Sequence, residues 1–261
     1  MQRLPPIRAA ALALALIAPW IACRTPAPGP AVPDALAACT PPDTLALAGV
    51  NLAQLRASPL YQMLPPGAAA FLQPLRDASY LLLAYNGKDI LAVAGGRFRE
   101  PPPGAVLLAK DLAVSGSPEA IRAATAQRKT GRPGARWLLD RAPSGGQIWA
   151  AAQGGIAFPL TGDAANLNRF LSFAEYASIA VRLDTGVRID ALGAGRTPES
   201  AQRLEESLRA LLTLAAAGAG RGRPLADLLH AIQLHRDALA VRVSVVATPD
   251  QIASLANLLT R

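Results

Sequence analysis

ASYLLLAYNGKDILAVAGG, residues 78 to 96, reads as two strands about a turn. Tyr80 to Tyr85 and Ile90 to Ala94 suit a pleated surface, and Asn86-Gly87 between them both tolerate positive φ, the strongest short hairpin signal. Tyr80 to Tyr85 is apolar on both faces, which predicts a sheet covered on both sides. The outline then returns: Ala78-Ser79 followed by Gly87, Ile90, Ala92 and Gly96 matches Ala177-Ser178 followed by Gly186, Ile189, Ala191 and Gly195, a constant offset of 99 residues. Two antiparallel hairpins so spaced predict two related halves.

The neighbouring residues fill in an α+β pattern, without the repeated crossover rhythm of a parallel sheet. Thr44 to Asn51 reads as a strand, and Leu52, Leu55, Leu60 and Leu64 as helical turns broken by Pro59 and Pro65. Val106 to Val114 reads as one strand interrupted by Lys110 and Asp111, followed by a helix from Pro118 to about Lys129; Gln147 to Ala152 is a further strand. In the second half, Ile179, Val181 and Leu183 alternate with Ser178, Ala180 and Arg182, and Leu239, Val241, Val243 and Val245 with Ala240, Arg242 and Ser244. One face is expected in the core and the other in water. The helix after Thr197 carries Leu204, Leu208, Leu211 and Ala215 on one stripe to pack on a sheet, with Glu205 and Arg209 at ion-pair spacing.

Three strand-to-helix junctions recur: Ser117-Pro118-Glu119, Thr197-Pro198-Glu199 and Thr248-Pro249-Asp250. The hydroxyl caps free amides, proline fits the first helical position, and the acid complements the positive end of the helix dipole. Glu119, Glu199 and Asp250 are therefore expected to be capping residues rather than catalytic ones.

The N-terminus carries an address. Arg3 and Arg8 precede an apolar stretch from Ala9 to Ala18 that runs on to Ala22-Cys23. It is too short to span a bilayer, and it ends on a small residue as an export signal does. Residues 1–22 are expected to be the signal and Cys23 the lipid-bearing first residue of the mature chain, although Trp20 stands where such signals usually have Leu. Leu36-Ala37-Ala38-Cys39 fits the lipid-attachment pattern letter by letter but lies beyond a proline-rich stretch. A plain cleaved signal, an uncleaved anchor and a Cys23–Cys39 disulfide are the alternatives. Residues 23–42, with six prolines after Cys23, are expected to form a flexible tether. The halves are then 43–160 and 161–261.

Composition excludes more than it assigns. The net charge is +8, from twenty-three arginines and three lysines against 18 acids. The arginines are scattered and not interleaved with aromatics as a base-stacking surface requires, so nucleic acid is not an expected partner. A third reading is a binder of an anionic surface or envelope polymer, with Arg182, Arg188 and Arg242 on the wet sheet face. No nucleophile elbow, phosphate loop or zinc motif occurs, and His230 and His235 lack the companions of a metal site, so no cofactor or metal is expected. The rival reading is an extracytoplasmic hydrolase, in which His230 or His235 would meet Asp184, Asp227 or Asp237 in a cleft.

DTLALAGVNLAQLRASPLYQML (43–64) and EYASIAVRLDTGVRIDALGAG (175–195) resemble uncharacterised bacterial envelope lipoproteins in which a signal and tether precede a duplicated α+β region. The resemblance implies fold and location, but neither activity nor functional residue. The resulting expectation is an exported, lipid-anchored envelope protein, not an enzyme, with a binding or structural role and a membrane as partner through its anchor.

Overall fold

A computed structural model describes residues 32–62, 72–158, 166–218 and 223–251. Cys23, Leu64 and Pro65 lie outside them, as does the signal. The strands are β1 (Ala46–Val50), β2 (Ala78–Tyr85), β3 (Ile90–Gly96), β4 (Val106–Ala109), β5 (Leu112–Ser115), β6 (Ile148–Gln153), β7 (Tyr176–Leu183), β8 (Val187–Ala194), β9 (Gln233–Arg236) and β10 (Ala240–Ala247). They form one sheet in the order β4-β5-β3-β2-β1-β6-β7-β8-β10-β9, with every neighbour antiparallel. With helices packed on it, the protein is α+β.

Read outward from the central β1–β6 pair, the strands follow the same sequence on either side: first, second, third, fifth, fourth. The two quoted hairpins, β2–β3 and β7–β8, occupy corresponding places. Their turns differ. Asn86 accepts from the amides of Lys88 and Asp89 at 3.0 and 2.7 Å, and Gly87 has φ +96°, so a side-chain-held turn of 86–89 replaces the two-residue turn that Asn-Gly suggests. Gly186 is required for a different reason: a Cβ there would lie 2.6 Å from the Ala247 carbonyl of β10.

Helices are α1 (Asp34–Ala37), α2 (Leu52–Ala57), α3 (Pro59–Gln62), α4 (Pro118–Lys129), α5 (Arg136–Leu139), α6 (Asn166–Phe173), α7 (Pro198–Gly218) and α8 (Arg223–His230). In the first half both sheet faces are covered, as Tyr80 to Tyr85 predicted. Tyr80, Leu82, Ala84, Leu91, Val93, Leu112 and Val114 face Leu36, Ala120, Ala124 and Leu138 from α1, α4 and α5. On the opposite face Leu52 and Leu55 of α2 meet Ala94, Phe98 and Ala113.

Several expectations need correction. The described part of the tether, from Val32, is not a spacer: α1 places Leu36 at 2% exposure and Cys39 at 0%, because its apolar side chains have helical spacing and close over Gly95. The Cys39 thiol donates to the Ala35 carbonyl at 3.4 Å, and burial pushes its pKa up. Val106 to Val114 is a hairpin, not one strand, since Lys110-Asp111 turn the chain between β4 and β5. The boundary at 160/161 divides no unit of the sheet, because β6 pairs with β1 on one side and β7 on the other. Leu239 is 48% exposed in the turn before β10 instead of joining its core stripe.

Candidate functional site

The site begins with a reversal of exposure on β7. The expected alternation is present, but Ser178 and Ala180 of the supposed wet face are 8% and 3% exposed, while Ile179 is 38% exposed. Register gives the cause. Ala180 pairs with Trp149 and Ser178 with Ala151, so both extend the first-half core. There α5 packs over β6, Trp137 meets the Tyr176 ring edge-on at 6.1 Å, and Arg141 stacks 4.0 Å from the Trp137 ring centre.

Ile179 faces the other side, where the sheet is roofed by helices but not filled. The floor is small: Ala150 and Ala152 of β6, Ala177 of β7, Ala191 and Gly193 of β8. A Cβ at 193 would overlap Leu204 of α7. Phe158, Phe170 and Leu171 on one side and Leu204 and Leu208 on the other form the walls, and Val241 and Val243 of β10 close the far end. Between them lies an open apolar trough of about 330 Å³, within the usual range of small-molecule sites. Short side chains under a roof of large ones leave the space.

Local chemistry holds those walls. Asn168 of α6 accepts from the Phe158 amide and donates to the Phe158 carbonyl, both at 2.8 Å, while the Phe158 ring stacks on Tyr85 at 5.3 Å. At the start of α7, Thr197 Oγ1 accepts from the Ser200 amide at 3.2 Å and Ser200 Oγ from the Thr197 amide at 3.0 Å. Farther along, Glu205 accepts from Arg209 at 2.8 Å and from Arg236 of β9 at 2.6 Å, tying helix to sheet edge. The bonded Arg209, then Arg236, hold its carboxyl below the usual carboxylate range, with burial acting oppositely.

The three junctions are caps. Ser117 Oγ accepts from the Ala120 amide at 3.2 Å and Thr248 Oγ1 from the Gln251 amide at 3.4 Å, matching Thr197. Backbone amides at the helix starts are the first cause of the lowered pKa values of Glu119 and Glu199, which is the chemistry of a cap.

The residues of the hydrolase reading do not meet in a cleft. His230 bonds the Ala226 carbonyl at 2.8 Å within α8, and Asp184 and Asp227 are exposed on separate elements. His235 does meet Asp237 at 3.1 Å, but with 74% of its side chain exposed and Arg242 on the same carboxylate. Arg182, Arg188 and Arg242 share the face opposite the trough by register; Asp190 neutralises the first at 3.6 Å and Asp237 the third at 3.2 Å. Among the described residues no group of three or more His, Cys, Asp and Glu could hold a metal ion, and no helix is long and apolar enough to cross a membrane.

No family model matches the chain and no curated protein matches it. A solved structure described as crystal form I of TP0453 is similar over 88% of this chain and 100% of that one, at 8% identity and a TM-score of 0.45. A likeness so slight carries no reading of fold or activity.

The trough was missed in the sequence because alanines in a strand look like weak core. The available signal was their coincidence: Ala150, Ala152, Ala177 and Ala191 fall on one face of adjacent strands.

Proposed function

We propose that this chain works in the cell envelope, held to a membrane by a lipid on Cys23, and that it binds the acyl chain of a lipid in the trough between the sheet and helices α6 and α7. The observation that carries the ligand is the lining. Its side chains are alanine, glycine, valine, leucine, isoleucine and phenylalanine, apart from Ser178, whose side chain points to the other face. A polar ligand would leave water without finding hydrogen bonds there and be rejected; a methylene chain gains about 0.8 kcal/mol per buried CH₂. The location rests on Arg3, Arg8, the apolar stretch and Cys23.

The identical strand sequence on either side of β1–β6 supports reading the halves as products of duplication. On that reading the trough is where the second half leaves unfilled a face that α2 and α3 pack in the first. The function is binding, not hydrolysis.

Mass spectrometry of the full chain extracted from membranes tests both parts. The N-terminal peptide should begin at an acylated Cys23, and solvent extraction of the folded protein should release an acyl lipid near one per chain. Ala191→Phe, which fills the trough floor, should lose that lipid while keeping its unfolding midpoint. An unmodified Cys23 within a longer mature chain overturns the anchor. Equal lipid, or none, in both proteins overturns the ligand.

A further inference from the structure

The apolar stripe of helix α7 passes from buried to exposed along its length. It starts with Leu204 at 3% exposure and emerges through Leu208 at the trough wall to Leu211 at 38% and Leu214 at 70%. Ala215, Ala216 and Ala217 are exposed as well. The sequence from Ala210 to Gly220 contains no charged residue, and Arg221 and Arg223 follow directly. An exposed apolar helix end, followed in the sequence by two arginines, is a specific surface rather than a scattered exposed leucine.

We propose that this end of α7 seats in the interfacial region of an anionic bilayer, its leucines among the acyl chains and the flanking arginines at the headgroups. Two leucines and three alanines on one helix end cannot supply the roughly 800 Å² per partner that a stable protein interface needs. Shallow insertion needs no matching surface, only apolar area flanked by cationic residues. The excess of arginine and lysine over acids favours an anionic surface over a neutral one. A bilayer contact at the tip, on the same helix that walls the trough, brings the trough mouth towards lipid. The proposal rests on the envelope location proposed above. Because its test concerns the tip alone, its failure leaves the trough result standing.

The test uses the full chain carrying Cys23→Ser and Ala217→Cys, labelled at residue 217 with nitrobenzoxadiazole; Cys39, at 0% exposure, stays unlabelled. A second chain carries the label at Arg122→Cys, on the exposed side of α4. With vesicles of phosphatidylcholine and phosphatidylglycerol, emission at 217 should shift to the blue and be quenched by brominated acyl chains. The label at 122 should not respond. Leu211→Asp with Leu214→Asp should abolish the shift at 217, and pure phosphatidylcholine should give a smaller one. The proposal is overturned if the label at 217 is silent on vesicles that sediment the protein, or responds no more than the label at 122. A shift that grows with protein concentration in the absence of vesicles also overturns it, in favour of a second copy covering the tip.

Discussion

Gly49 shows how one missing side chain organises the core. Trp149 of β6 lies across it, since a Cβ at 49 would overlap the indole, and donates from Nε1 to the Tyr80 hydroxyl of β2 at 2.7 Å. Trp149 is 1% exposed, and burial raises the Tyr80 pKa despite that bond. The three strands are thus bridged by an aromatic pair over a glycine. Gly49→Ala must displace the ring or the strand, so it should destabilise by about 1–3 kcal/mol, read as a lower urea midpoint with an altered tryptophan emission. Unchanged stability and emission would mean that the ring is free to move aside. This contact was not legible in the sequence, because Gly49, Tyr80 and Trp149 are far apart along the chain. The caps at Ser117, Thr197 and Thr248 were legible because all their atoms lie within three residues.

Elements show the same division between local and distant causes. Helix α4 runs from Pro118 to Lys129 as its cap and periodicity predict, and the Glu205–Arg209 pair forms as their spacing predicts. That Glu205 also receives Arg236, from a strand 31 residues away, was not visible. The pH consequence has a definite sign. A carboxyl held lower in the folded state than its usual value of about 4.3 stabilises the fold above that value. The gain is lost as pH falls through the lowered folded value. Glu205→Gln should therefore be less stable than the natural chain near neutral pH, and the gap should narrow as pH falls through the lowered folded value; urea midpoints from neutral to acid pH measure it. A gap that persists in acid would assign the loss to packing. On β7 the alternation was read correctly but the more deeply buried face was not, because α5, from the other half, decides what is covered.

At the scale of the molecule the sequence predicted two halves and the structure gives one sheet. The hairpins were legible from turn chemistry. The β1–β6 pair that fuses the halves, Ala46 opposite Ala152 and Val50 opposite Ile148, carries no local signal, since a register between strands a hundred residues apart is written in neither. Its consequence is cooperativity: pulling one half open exposes the Trp149 core of the other. Far-ultraviolet circular dichroism and tryptophan emission should thus report one shared unfolding midpoint. Two separated midpoints would mean that the halves hold together independently.

The sheet ends at β4 and β9, each four residues long. Such margins matter because an open strand is a template for foreign backbone. Here β4 is broken by an irregular register between Leu107 and Ala109, and β9 carries His235 and Arg236, with Arg236 already bound to Glu205. Neither margin offers a long flat ladder to an incoming strand. The protein should resist fibre growth along its sheet even at high concentration.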